Sequence, residues 1–523
     1  MNKKVLKKSM VYIATAILYF LLLVTFVNTT WFESDELDIM INGRGIARGQ
    51  LLYTDLASQH MPFTYYLSAL FYKIGATTVT EQRIAFYIFF AVMWTVLYAR
   101  YGTKFGKKTM FFSPLIFCCL IPTYDMGTTI LSEHLAAIGL LIFMLEFLKF
   151  VQDKTIGWKE SIFISIAVIL SFGTIFVAIF PVFVIALGVL GTEIKWGKEK
   201  QIGIGTFLIN IVRKYLKLFI CVMIPWVLLI GYYIIKSTFK AFIFGAYTIN
   251  REIYPDYIAY GDSIFGTVIN TISAAAAQVS AVFVGWTAEY TYVKILQVIV
   301  VVCVVVFVLS VWKNYGKFTG LMITLFVVFA GSRGYFNFHG TQFVGLGAFM
   351  TSWVLCNTLE KRKVSEGKEV NFRLVIMTML CITMTQGFFN NTSRITDIKL
   401  KEEKDYDTKV VETLTDKDEK VWQLCMNNHV AMQADRLTIG TSAATPWMWR
   451  GVGEYQFAQV KEEKPRVILY VPQYEVWGYS MNEYAPKAVE YVDKNYTKLE
   501  GAGLVYVRND YIEEAYEKIK EIQ

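Results

Sequence analysis

Apolar runs close to the ~20 residues needed to cross hydrocarbon recur along most of this chain, and they leave few folds open to it. They run from Met10 to Val27, Gln82 to Arg100, Met110 to Pro122, Gly127 to Phe147, Ser161 to Phe172, Ile175 to Leu190, Leu216 to Ile235, Ile295 to Val311, Phe318 to Gly331, Gln342 to Leu359 and Leu374 to Phe389. The sequence therefore predicts a polytopic α-helical membrane protein with about 11 transmembrane helices. Across 523 residues, 55% are hydrophobic and 16% aromatic, and the mean hydropathy is +0.41, which excludes a soluble core. The net charge of +8 does not point to nucleic acid, because the basic residues sit in short clusters between apolar runs.

Those clusters orient the chain. Arg100 to Lys108, Lys149 to Lys159, Lys195 to Lys217, Lys313 to Lys317 and Lys361 to Arg373 alternate with loops poorer in cations. By the positive-inside rule they face the cytoplasm, as does the N-terminus. The first apolar run is too long and bulky for a signal peptide and lacks a small-residue cleavage site, so it reads as a retained helix. The expected location is the cell membrane, multi-pass. Residues 1–391 form the membrane domain, with outer loops at 31–81 and 236–294. Residues 392–523 form a small exoplasmic α/β domain. There the charge density rises, β-type runs appear at Val421 to Leu424, Arg436 to Ile439, Val467 to Val471 and Gly503 to Val507, and helical spacing appears at Ala488 to Tyr496 and Tyr511 to Ile522. Six of the seven cysteines lie in apolar runs and only Cys425 lies in the tail, so no disulfide framework is available. No phosphate loop, nucleophile elbow or zinc-ligand spacing marks the tail as a separate enzyme.

Chemistry collects on the expected outer side. Glu33, Asp35, Glu36 and Asp38 crowd the polar segment after the first helix, followed by Tyr53, Asp55 and His60. Clustered carboxylates repel one another, so such a group commonly holds a cation, a base or a polar substrate; a solvated loop is the alternative. All four histidines, His60, His134, His339 and His429, fall on this side. Glu133 and His134 stand about two turns into the helix beginning near Gly127, where an ionisable pair is either functional or a cap on a helix end. Arg333 lies at an outer helix end beside His339, suited to a two-point grip on a phosphate or to interfacial anchoring. Arg251, in the second outer loop, is a further cation.

Ser34-Asp35-Glu36, Gly49, Leu52-Tyr53-Thr54-Asp55, Pro62 and Tyr65-Tyr66-Leu67 resemble the acidic first outer loop of the GT-C superfamily of membrane glycosyltransferases. The similarity is to the branch of bacterial protein O-mannosyltransferases and lipid A aminoarabinose transferases. Asn250-Arg251-Glu252-Ile253-Tyr254, the stretch from Gly331-Ser332-Arg333 to His339 and the exoplasmic tail extend the likeness. Gln59-His60-Met61-Pro62 departs from the Lys-Pro-Pro run usual in the aminoarabinose enzymes, which leaves the donor sugar open. The resemblance implies an inverting sugar transfer from a polyprenyl-phosphate donor to an envelope glycan, lipid or protein at the outer face of the bilayer. It implies Asp35, with Glu36 beside it, in the catalytic role. Arg333, His339, Glu133, His134, Tyr53, Asp55, His60 and Arg251 are the candidates for binding substrate. No dedicated metal site and no cofactor are expected, although the acid cluster suits a divalent cation through oxygen ligands. A transporter or flippase is the rival reading, but its charged sites belong near the bilayer midplane. A non-catalytic scaffold is the third.

Overall fold

The computed structural model describes residues 3–27, 32–121, 124, 126–257, 291–331, 337–357, 403–425, 429–440, 444–520 and 522. The helices of its first part are α1 (Lys3–Val24), α2 (Ser34–Ala47), α3 (Phe63–Lys73), α4 (Val79–Phe105), α5 (Lys107–Leu120), α6 (Ser132–Asp153), α7 (Trp158–Leu170), α8 (Ile179–Glu199), α9 (Ile204–Ile235), α10 (Phe239–Ile243), α11 (Thr291–Tyr315), α12 (Lys317–Gly331) and α13 (Val344–Asn357). Ten of the eleven expected apolar runs overlap these helices. The eleventh, Leu374 to Phe389, is outside the described residues. Among the described residues, five segments are long and apolar enough to cross a membrane by length and composition: Val79–Phe105, Ser132–Asp153, Phe176–Glu199, Ile204–Ile235 and Val298–Tyr315. The chain is a membrane protein.

Its contacts divide it into two compact units that interleave along the sequence. The first comprises Met1–Thr29, Phe86–Leu228 and Ile264–Ile398; the second comprises Thr30–Ala85, Leu229–Ser263 and Lys399–Gln523. In the first, α6 is the central helix, buried along nearly its whole length between α7, α8 and α13. α9 is the opposite case. Leu208, Val212, Phe219, Leu228 and Ile235 project from it with half or more of their surface uncovered, as suits a helix whose solvent is lipid. A polar knot joins α4, α6 and α7. Arg100 Nε donates to Glu146 Oε1 at 2.8 Å, the Tyr101 hydroxyl donates to the same oxygen at 2.5 Å, and Glu160 lies 3.3 Å from the guanidinium. On the same side, Lys214 of α9 pairs with Glu193 at 2.5 Å and lies over the ring of Trp196, while Lys217 lies over Trp158.

The tail in the second unit is a layered α/β fold. A five-stranded sheet has the order β2-β1-β3-β7-β6, with β1 (Lys420–Leu424) parallel to both β2 (Leu437–Ile439) and β3 (Val467–Tyr470). β7 (Val505–Arg508) runs antiparallel to β3 and to β6 (Tyr496–Lys498). A separate hairpin joins β4 (Glu475–Val476) to β5 (Tyr479–Ser480). Alternation at period two sends Val421, Val467, Leu469, Val505 and Val507 to one apolar core and Trp422, Leu424, Ile468 and Tyr470 to another. Both faces are covered, which accounts for the nearly continuous apolar strands. Helices α14 (Tyr406–Leu414) and α19 (Ile512–Ile519) cover the first face. α16 (Pro446–Glu463) and α18 (Pro486–Asn495) cover the second. The remaining short helices are α15 (His429–Gln433) and α17 (Met481–Tyr484). Cys425 is buried in the first of these cores, its thiol directed at the Leu469 carbonyl at 3.8 Å.

The expected strands and the last two helices appear within a few residues of their sequence positions. Residue Tyr496 is the difference. It opens β6 instead of ending a helix, because its ring is buried in the second core and its hydroxyl reaches the Pro465 carbonyl at 2.9 Å.

Two stability measurements follow. A Cβ on Gly43 of α2 would lie 2.3 Å from Ser68 Oγ and 3.0 Å from the Ala69 nitrogen of α3. Gly43→Ala is therefore expected to destabilise the second unit by about 1–3 kcal/mol, read as a lower thermal unfolding midpoint in detergent. Glu146→Ala leaves the largely buried Arg100 guanidinium only the more distant Glu160 carboxylate at 3.3 Å and removes the acceptor of the Tyr101 hydroxyl. It is expected to cost about 3 kcal/mol, while Glu146→Gln, which keeps an acceptor for Tyr101 and Arg100, costs less.

Candidate active site on the acidic helix

The acidic segment folds as α2, and its helical start explains where its carboxylates go. Glu33 has an extended backbone, so Asp35 and Glu36 fall in the first turn, where the unpaired backbone N–H groups and the helix dipole favour negative charge. Asp35 is half-buried and reaches the surface. Glu36 is sealed: its carboxylate has no exposure and is gripped by Arg83 of α4 in a fork, Nε to Oε1 at 2.8 Å and Nη2 to Oε2 at 2.5 Å. Asp38 is buried as well. Its Oδ2 accepts from the Tyr65 hydroxyl at 2.5 Å and its Oδ1 from Asn42 Nδ2 at 2.9 Å; the Tyr65 hydroxyl also meets Ser58 Oγ at 2.6 Å. Burial first, and then the Asp38 charge, push the Tyr65 hydroxyl well above its usual pKa, so it stays a proton donor.

The far end of α2 is fixed just as firmly. Arg44 is wholly buried; its Nη1 donates to the Met432 carbonyl at 3.1 Å and lies 4.0 Å from Asp435 Oδ1. Burial pulls its pKa down to about 10 against the opposing pull of Asp435, so the side chain remains charged at neutral pH. One turn on, Arg48 Nη2 donates to Asp435 Oδ2 at 2.6 Å and to the Tyr72 hydroxyl at 2.6 Å, and Tyr72 donates to Asp435 Oδ1 at 2.8 Å. Gln50 Nε2 then donates to the Thr438 carbonyl at 3.0 Å, tying the helix end to β2.

The loop after α2 spends its polar groups on itself. The Asp55 carboxylate accepts from the Leu51 N–H at 2.7 Å, the Tyr53 hydroxyl donates to the His60 carbonyl at 2.7 Å, and the His60 N–H donates to Ser58 Oγ at 3.1 Å. Tyr53 holds a left-handed backbone with φ of 73° and packs its ring on Tyr233 and Phe242. The segment after α10 reaches in through Asn250, whose Nδ2 donates to the Gln59 carbonyl at 2.5 Å. Arg251, next to it on a π-helical stretch (Phe244–Ile253), is exposed and donates to the Tyr247 hydroxyl.

Three of the remaining candidates belong to the first unit. Glu133 and His134 occupy the first turn of α6, not two turns in, because Gly127 to Leu131 form turns ahead of a helix that begins at Ser132. His134 Nε2 donates to the Gly127 carbonyl at 2.8 Å and its Nδ1 accepts from the Leu131 N–H at 3.4 Å, so the imidazole closes the helix start. His339 is buried in the short 3-10 turn (Asn337–Phe343) that packs against α6. Arg333 lies outside the described residues. Asp35, Glu36, Tyr53, Asp55, His60 and Arg251 thus share the second unit, and Glu133, His134 and His339 share the first. Tyr65 entered only through the family resemblance, without a role, and Arg83, Ser58 and the Arg44–Arg48–Asp435 cluster were not singled out by the sequence. Asp38 and Asn42 at four-residue spacing carried the one local signal.

No family model matches the sequence, and no curated protein matches it. Solved structures do. ArnT from Cupriavidus metallidurans, solved bound to undecaprenyl phosphate, superposes with a TM-score of 0.51 at 12% identity over 96% of this chain and 98% of that one. The oligosaccharyltransferase from Archaeoglobus fulgidus, solved with zinc and sulfate, gives a TM-score of 0.50 at 11% identity over 94% of this chain and 73% of that one. The chain shares the fold of these two structures over most of its length.

Proposed function

We propose that the protein transfers a sugar from a polyprenyl-phosphate donor to an acceptor at the outer face of the cell membrane, with inversion at the anomeric carbon. One observation carries this reading. In a chain with this fold, a surface-reaching carboxylate, Asp35, stands on the first turn of a helix fixed at both ends. Asp35 is assigned as the base. It takes the proton of the acceptor hydroxyl as that oxygen bonds to the anomeric carbon, and the bond from that carbon to the phosphate oxygen breaks, releasing polyprenyl phosphate. Glu36 is assigned a positioning role through Arg83, since a carboxylate without exposure does not meet an acceptor. The phosphate charge that grows as the sugar leaves calls for a cation, and Arg333 is the assignment from sequence, with Arg251 next. A likeness that runs over nearly the whole of a lipid-phosphate-binding transferase favours this reading over a transporter.

The test is transfer by purified protein from radiolabelled polyprenyl-phosphate sugars. Asp35→Asn is expected to fold and insert normally while turnover falls ~100- to 10,000-fold. Turnover near the parent value in this variant removes Asp35 from the mechanism. Glu36→Gln breaks one arm of the fork and removes the buried charge that faces Arg83, so it is expected to lower stability by about 3 kcal/mol. Activity per folded molecule should fall far less than in Asp35→Asn; equal losses in the two variants make Glu36 catalytic. Arg333→Lys should keep partial activity and Arg333→Ala should lose both donor affinity and turnover, read from donor saturation curves.

A further inference from the structure

On the second unit, five aromatic rings from three chain segments meet around the β4–β5 hairpin. Trp447 of α16 stacks on Trp477 at the hairpin tip with ring centroids 4.5 Å apart. Tyr254 of the second outer loop packs against Trp447 at 5.1 Å and Trp477 at 6.3 Å, and Tyr257 packs against Trp447 at 6.2 Å and Tyr479 at 5.1 Å. A small apolar core of Ala57, Ile249, Met448 and Val476 lies beneath them. Trp477 keeps 47% of its surface exposed and Tyr479 keeps 36%.

Three details set this cluster apart from ordinary packing. Trp477 and Gly478 both have positive φ, 52° and 82°, which makes the hairpin a two-residue turn whose first position suits Asn, and a bulky residue there is uncommon. The indole N–H of Trp447 is buried and has no hydrogen-bond partner among the described residues. At the edge, Arg450 and Asp256 form an ion pair at 2.5 Å with about half of each side chain in solvent. On the same unit, Asn482, Pro486, Val489, Glu490, Asp493 and Lys494 line a shallow, open depression. Asn482 is three residues from Tyr479, so chain length alone keeps their Cα atoms within ~11 Å.

We infer that this surface binds the carbohydrate portion of the acceptor, with the aromatic rings as a stacking platform and the neighbouring polar groups as hydroxyl readers. The C–H face of a pyranose is apolar and its hydrogens are electropositive, which matches the negative face of an indole. Arg450 with Asp256, and the amide and carboxylates of the depression, offer the paired donors and acceptors that vicinal hydroxyls require. Aromatic rings of this kind also occur at bilayer surfaces. Attraction to an anionic leaflet calls for a basic surround, and among the described residues Asp256, Glu252, Glu454, Glu475, Glu490 and Asp493 outnumber Arg251, Arg450, Lys487 and Lys494 here. The inference rests on the transfer reading only for the word acceptor; the binding itself requires no donor.

Calorimetric titration of the detergent-solubilised full chain with maltotetraose, chitotetraose and mannotetraose in turn tests it. At least one tetrasaccharide is expected to bind saturably, about tenfold or more weaker with Trp477→Ala, with an intermediate loss for Trp477→Phe. Trp158→Ala, which removes an exposed Trp of the first unit, should bind as the parent does. Saturable binding by none of the three, or binding unchanged in both Trp477 variants, overturns the site. So does quenching of Trp477 fluorescence, taken as parent minus Trp477→Phe, in vesicles of brominated phosphatidylcholine, because it places the rings in lipid. Transfer by a parent protein that binds no saccharide would sink this site and leave the transfer reading standing. Saccharide binding without transfer from any polyprenyl-phosphate sugar would do the reverse.

Discussion

The fork between Glu36 and Arg83 is the constraint on which the second unit turns. A carboxylate with no exposure and a guanidinium almost as deeply buried are tolerable only as a pair, and their geometry fixes the first turn of α2 against the start of α4. At the other end of the same helix, Arg44 and Arg48 hold Met432 and Asp435, nearly four hundred residues away in sequence. A helix held this way loses little freedom when a ligand arrives, so a carboxylate on its first turn is already oriented. The polar loop that follows is tied down by its own hydrogen bonds, which adds to the same rigidity.

Period and length carried most of the fold into the sequence. The long apolar runs became helices because a helix satisfies every backbone group within its own segment in hydrocarbon, and the apolar runs of the tail became strands covered on both faces. α2 was not legible as a helix. Every residue from Glu36 to Gly45 is buried regardless of polarity, so the segment has no apolar stripe for a periodicity argument to find. α16 was missed too, although Thr445 as cap followed by Pro446 at the first helical position is a start signal that stood in plain view.

The candidate site was legible in residue type more than in role. An acid cluster beyond the first apolar run stands out in one dimension, but which acid is sealed and which reaches the surface depends on partners 27 to 47 residues away. His134 shows the same limit: the sequence supplies an imidazole near a helix start, and only the turn at Gly127 makes it a cap.

The long helix α9 has a consequence for how the protein sits in its solvent. At 32 residues it is about 48 Å long, well beyond a hydrocarbon core of about 30 Å. Beyond Lys217 about 18 residues remain, spanning roughly 27 Å and free of charge. Lys214 and Lys217, each laid over a tryptophan, mark the charged end of that stretch, a pairing of cation and indole that suits a membrane interface. An uncharged stretch of roughly 27 Å comes close to a hydrocarbon core of about 30 Å, so a bilayer much thicker or thinner than that costs this helix tilt or local deformation of the lipid.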